Sequence, residues 1–126
     1  MRLLLDSHVA LWALISSDRL GVAARQAILD AELVVVSVVT PWELGIKQAL
    51  GKLKVPGDMV SAFGESGFEM LSISAAHATA APALPKHHRD PFDRMLIAQA
   101  CRERLTIVTV DHQFDHYDVD TMNAST

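Results

Sequence analysis

The chain has 126 residues, half of them hydrophobic, a formal net charge of −4 and one cysteine. That is the size of one ordinary domain with a single sizeable core, which excludes a disordered chain. The lone Cys101 rules out an internal disulfide and fits a reducing compartment, while the acidic balance argues against a protein that coats nucleic acid by neutralising phosphates.

No apolar run approaches the roughly 20 residues that a membrane span needs. The chain opens on Met1-Arg2-Leu3-Leu4-Leu5, but Asp6 and His8 interrupt it before a signal-peptide core forms. The expectation is a cytoplasmic protein, in contact with no membrane.

Arg2 to Leu5 is a short continuous apolar run, as expected of a strand buried on both faces. Asp6 closes it, and Ser7 is placed to cap a helix running through Leu11 to Ile15. Val22 to Ala31 reads as a second helix. Leu33 to Val39 is the most β-branched segment and predicts a second buried strand. Thr40-Pro41-Trp42-Glu43 then opens a helix, with Thr40 as cap and Pro41 at its first position. A turn over 52–57, a short helix over 58–66 and a third strand over 68–73 follow.

Ser74 caps an Ala-rich helix reaching Ala81, and Pro82 to Arg89 forms the one extended loop. Asp90-Pro91 then starts a strongly amphipathic helix, Asp90 capping and Pro91 in the first turn. Cys101 on this helix is expected in or near the core. Leu105 to Val110 predicts a fourth buried strand ending at Asp111, and 117–122 a last edge strand. Residues 123–126 are expected to fray. No repeat or linker divides the chain, so 1–126 is expected to be one domain.

Strands alternating with helices imply a parallel α/β sheet with right-handed crossovers, and such sheets bind ligands beyond the carboxyl ends of their strands. Asp6 and Asp111 end strands, and Glu43 and Asp93 open helices at the same edge. Four carboxylates in one cleft raise each other's pKa unless a counter-charge intervenes. Oxygen ligands suit Mg²⁺ or Mn²⁺ rather than zinc.

Glu43 and Asp93 equally fit the role of favourable charges at helix N-termini, worth about 0.3–1 kcal/mol each. Asp115 competes with Asp111 for the fourth place. Adjacent residues point apart, so His87 and His88 are expected on the surface or facing substrate. Ser37, Thr40 and Thr109 sit at strand ends, where they either cap or orient the acids. Trp12 and Trp42 are expected in the core or an interface.

Four stretches in order resemble the PIN domain, specifically the VapC-type toxins of type II toxin–antitoxin pairs: Leu3-Leu4-Leu5-Asp6-Ser7-His8, Pro41-Trp42-Glu43-Leu44-Gly45-Ile46-Lys47, Asp90-Pro91-Phe92-Asp93-Arg94-Met95-Leu96-Ile97-Ala98-Gln99-Ala100 and Val108-Thr109-Val110-Asp111. Asp-Pro-Phe-Asp-Arg is the most specific part. The resemblance implies a PIN-like three-layer α/β/α fold, with a central parallel sheet of four to five strands flanked by helices. It also implies a Mg²⁺- or Mn²⁺-dependent endoribonuclease, a VapB-like antitoxin that blocks the cleft, and a homodimer.

Carried over position by position, Asp6, Glu43 and Asp93 match the family's three main acids and Asp111 its more variable fourth. Arg89, Arg94 and Lys47 are then candidates to guide RNA phosphates. Rival readings are a PIN-fold binding module without activity and a structure-specific DNA nuclease. A phosphoaspartyl enzyme of the haloacid-dehalogenase type would need an acid two residues after Asp6, where this chain has His8.

Overall fold

In a computed structural model describing every residue except Pro56, the chain runs β1 (Arg2–Leu5), α1 (Ser7–Leu14), α2 (Val22–Asp30), β2 (Leu33–Ser37), α3 (Val39–Ala49), α4 (Met59–Glu65), β3 (Glu69–Leu71), α5 (Ala75–Ala83), α6 (Pro91–Glu103), β4 (Thr106–Thr109) and β5 (Thr121–Asn123), with a 3₁₀ turn at His112–His116. The strands form one parallel sheet in the order β3-β2-β1-β4-β5. The turn read over 52–57 includes Pro56, which lies outside the described residues.

Because side chains alternate across a strand, β1 serves two cores at once. Leu3 and Leu5 pack with Val9, Phe63 and Ala24, from α1, α4 and α2. Leu4 packs on the opposite face with Ile97 of α6, Ile107 and Phe114. All three leucines are fully buried, as the uninterrupted apolar run requires of a central parallel strand. The result is the three-layer α/β/α arrangement.

Chain order places β2 and β3 on one side of β1 and β4 and β5 on the other. The connections leaving β1 and β4 at the carboxyl edge therefore diverge, opening a crevice between them. Strand ends at this edge are set by side-chain hydrogen bonds. Ser37 Oγ accepts the Val39 N–H at 3.1 Å, so β2 stops two residues earlier than expected and α3 begins at Val39. Thr40 consequently lies inside the first turn rather than capping it. Pro41 is the third helical residue, where the backbone donor it lacks would have no partner.

Thr109 Oγ1 accepts the Asp111 N–H at 3.0 Å, which ends β4 at Thr109. Asp111 then caps the 3₁₀ turn through the Gln113 N–H at 2.9 Å. On α6, Asp90 caps as expected, accepting the Phe92 N–H at 2.8 Å.

Two further expectations are overturned. Residues 123–126 do not fray: Ala124 is fully buried, its N–H bonds Thr109 O at 3.0 Å, and its carbonyl accepts the Gly21 N–H at 2.8 Å. Thr126 O accepts the Ala23 N–H at 2.9 Å, so backbone pairing orders a stretch whose side chains give no apolar pattern. Cys101 is exposed rather than in the core, on the outer side of α6 with Sγ 3.5 Å from Asp118 O.

The docked tail leaves no room at Gly21. A methyl group there would lie 2.3 Å from the Thr126 carbonyl carbon and 2.6 Å from that of Ser125. Gly21→Ala is expected to cost about 1–3 kcal/mol by overpacking, read as a lower urea midpoint at unchanged slope.

Candidate active site

Asp6 leaves β1 directly into the crevice and is 5 % exposed. Its Oδ2 accepts the Thr109 hydroxyl at 2.7 Å and its Oδ1 the Ser7 N–H at 2.7 Å. Burial raises its pKa; the two hydrogen bonds pull the other way, and the Glu43 charge adds to the rise. A carboxyl in this setting holds its proton more tightly unless positive charge is brought close.

Glu43 reaches the same edge from α3 and is also buried. Its Oε1 accepts the Ser7 hydroxyl at 2.8 Å, and Ser7 Oγ in turn lies 3.1 Å from Thr40 Oγ1. Ser7 is thus a buried bridge between Asp6 and Glu43, its N–H serving one acid and its hydroxyl the other. Thr109 likewise orients Asp6 instead of merely ending β4.

Asp93, in the first turn of α6, is the electrostatic centre. Burial and then the charges of Asp6, Asp90, Glu43 and Asp111 push its carboxyl up to about 8. The four predicted acids therefore share one field, with Asp90 also contributing. Asp111 contributes from beyond β4, its Oδ2 3.2 Å from His88 Nε2. Asp115 is exposed, with Oδ1 accepting from Thr121 Oγ1 at 2.9 Å; Asp111 is the one whose charge bears on Asp93.

His88 is not the outlying side chain that its position beside His87 suggests. Its Nε2 lies 2.8 Å from Asp93 Oδ2 as well as 3.2 Å from Asp111 Oδ2, and its side chain is only 10 % exposed. His88, Asp93 and Asp111 form a compact group of possible cation ligands. His87 takes the surface place, stacked edge-on to Tyr117 with ring centroids 5.2 Å apart. The residue missed most clearly is Tyr117. Its hydroxyl accepts the N–H groups of His87 and His88 at 3.1 and 2.7 Å and donates to Pro85 O at 2.8 Å.

The three basic candidates divide. Arg94 is corrected: Nη1 donates to Pro85 O and His88 O at 2.9 and 3.2 Å, and Nη2 to Ala81 O, Leu84 O and Pro82 O at 2.9, 2.8 and 3.2 Å. Its terminal N–H groups are engaged by the chain's own carbonyls, so only Nε–H is left for any other acceptor. Lys47 Nζ lies 3.4 Å from Glu43 Oε2, an intrahelical pair one turn apart. Arg89 is exposed on the loop, next in the chain to Asp90. Trp42 is 62 % exposed, its ring edge-on to Phe92 at 4.9 Å.

The donor set fits a hard divalent cation. Buried carboxylates crowd one crevice, and Asp93 keeps its proton far above the carboxylate range when no cation offsets its neighbours.

The PIN domain family model matches residues 3–120 of this chain. A curated relative, Ribonuclease VapC22 of Mycobacterium tuberculosis, is 31 % identical over 113 residues, 87 % of each chain. Among solved structures, VapBC2 from Rickettsia felis bound to a DNA fragment from their promoter superposes with a TM-score of 0.72 at 18 % identity, over 98 % of both chains. FitAcB from Neisseria gonorrhoeae gives 0.67 at 23 % identity over 97 % of both.

Three expectations follow from this geometry. Between pH about 4 and about 8 the folded, cation-free protein holds a proton on Asp93 that the unfolded chain has released. Its stability in EDTA should therefore fall as pH rises through that window and gain no further loss from this group above it. Asp93→Asn should flatten the slope, as followed by urea denaturation at several pH values. Divalent affinity should rise over the same window, because binding displaces the proton. Separately, Arg94→Lys, which keeps the charge but not the fork of donors, should cost about 2 kcal/mol of stability in the same urea assay.

Proposed function

The chain belongs to the PIN domain family, and from that premise we propose that it is a divalent-metal-dependent endoribonuclease, the toxin of a VapBC-type pair. The observation that carries this reading is the convergence of acids from separate elements on one crevice. Asp6 and Glu43 are buried and joined through Ser7, and burial with the charges of Asp6, Asp90, Glu43 and Asp111 raises the pKa of Asp93. A site of this kind is built to receive positive charge. Relatedness to a named ribonuclease over 87 % of the chain supports RNA as substrate.

Asp6 and Asp93 would be the central ligands, Glu43 a ligand or water orienter, and Asp111 an outer ligand. When bound, Mg²⁺ (or Mn²⁺) neutralises the scissile phosphate and lowers the pKa of a water. This chain's own residues hold the geometry. Thr109 and the Ser7 N–H fix both oxygens of Asp6. The Ser7 hydroxyl fixes one oxygen of Glu43, and the other lies 3.4 Å from Lys47 Nζ. Arg89 is the exposed cation available to meet an RNA phosphate beside the acids.

Protein partners are part of the same reading. The structural neighbours include VapBC proteins, which supports a VapB-like antitoxin as partner; a homodimer of the toxin and a cytoplasmic site of action belong to the same proposal. Along α3 and its C-cap Leu50, Trp42, Ile46 and Leu50 recur every four residues and are all exposed, beginning next to Glu43 in the chain. Such an apolar stripe on a surface helix is the feature that a protein partner covers. Among the described residues no helix is long and apolar enough to cross a membrane.

The test is cleavage of structured RNAs by purified protein with Mg²⁺, with Mn²⁺ and with EDTA, beside Asp93→Asn. The expected result is cutting at few sites with metal and none with EDTA. The variant should fold, yet neither cut nor gain thermal stability from Mg²⁺. Absence of both cleavage and metal-induced stabilisation in the wild type would favour the inactive binding module. Cleavage of DNA but not RNA would favour the DNA nuclease.

A further inference from the structure

The loop between α5 and α6 has no regular hydrogen bonding of its own, yet it carries His88 into the acid crevice. Two side chains from elsewhere hold it there. Arg94 gathers five carbonyls from Ala81 to His88, and the Tyr117 hydroxyl binds the backbone N–H groups of His87 and His88. The imidazole then packs edge-on to the buried Phe114, with centroids 5.9 Å apart.

Its two nitrogens have different partners, and this decides its chemistry. Nδ1 faces the Asp90 N–H at 3.2 Å. That contact needs the Nδ1 lone pair, so in the neutral ring the hydrogen is on Nε2. Nε2 faces two carboxylate oxygens, at 2.8 Å from Asp93 and 3.2 Å from Asp111. A cation ligand at Nε2 would instead move the hydrogen to Nδ1, setting it against the Asp90 N–H donor to donor. The surroundings therefore select a donor at Nε2 and disfavour a ligand.

We propose that His88 is a positioning residue, whose Nε2–H ties the Asp111 carboxylate to that of Asp93 and so completes the acid set from outside it. Asp93 stands on α6 and Asp111 on the turn after β4, so no single element fixes the two carboxyl groups relative to each other. Asp111 Oδ1 is fixed by the Gln113 N–H, but Oδ2 has only His88 as hydrogen-bond partner among the described residues. With the imidazole removed, Asp111 is free to turn toward solvent. Partners of this outer kind change metal affinity about 10–100-fold.

This inference rests on the metal-nuclease reading, and its test is read without RNA. Long-range ¹H–¹⁵N spectra of the metal-free protein should show His88 as the Nε2–H tautomer; the Nδ1–H tautomer would overturn the proposal. Calorimetric titration with Mn²⁺ should then show affinity reduced about 10–100-fold in His88→Ala and within a few-fold of wild type in His88→Gln, whose amide N–H₂ can replace the donor. Wild-type affinity in His88→Ala, or a His88→Gln as weak as His88→Ala, would also overturn it. A wild type that binds no Mn²⁺ would refute the metal-nuclease reading, while the tautomer would still decide this one. One that binds Mn²⁺ and cuts no RNA would count against the nuclease alone.

Discussion

Negative charge crowded at the carboxyl edge of a parallel sheet is the constraint on which the rest of this molecule depends. Asp6 and Glu43 are buried and Asp93 nearly so, and an ionised carboxylate without a partner is among the most unfavourable things a protein interior can hold. Local donors meet part of that demand. Thr109 and the Ser7 backbone serve Asp6, the Ser7 hydroxyl serves Glu43, and His88 serves Asp93 and Asp111. They do not meet all of it, since Asp93 still holds its proton to about pH 8. Hydrogen bonds fix the directions of these carboxylates without supplying the charge they lack.

The fold supplies the crowding through topology rather than through sequence proximity. β1 lies at the centre, β2 and β4 flank it, and each of the connections at their carboxyl ends contributes acids to the crevice. Two nearly dry cores, one on each face of the sheet, fix the strands. Small polar residues at the strand ends then aim the acids. Thr109 illustrates how much one such residue carries: its hydroxyl donates to Asp6 and accepts from the Asp111 N–H, so the end of β4 and the direction of both acids are one local event.

Much of this was legible in the sequence, for identifiable reasons. A continuous Leu run closed by Asp, and a β-branched run followed by a proline-containing helix start, are patterns set by local physics. β1 and α6 followed them, while β2 ended and α3 began ahead of the expected positions because the Ser37 hydroxyl takes the Val39 N–H. The acids were legible because they interrupt apolar segments at equivalent places. What escaped was whatever depends on irregular backbone. Arg94 lies on a well-predicted helix, but its carbonyl partners lie in and before a loop with no periodicity, so its role as an internal clamp left no pattern. His88 escaped because adjacency to His87 says nothing about which of two neighbours turns inward. Residues 123–126 escaped because their order comes from backbone pairing with Thr109, Gly21 and Ala23, to which side-chain character is indifferent.

The four acids are not equally constrained, and burial orders them. Asp6 is 5 % and Glu43 8 % exposed, so substituting Asp6 would strand the Thr109 hydroxyl and the Ser7 N–H, and substituting Glu43 would take away the acceptor of the Ser7 hydroxyl, in a buried site. The Asp111 side chain is 34 % exposed against 14 % for Asp93, and water can screen its charge or replace its partners. Its carboxylate is recruited inward by His88, which is itself held by a loop, an arginine and a tyrosine. A position that depends on so many irregular contacts is the one where an acid is most readily exchanged for another polar group. The greater variability of the fourth place, implied by the family resemblance, thus has a physical basis in this chain: Asp111 lies at the wet margin of the crevice, while Asp6 and Glu43 belong to the packed interior.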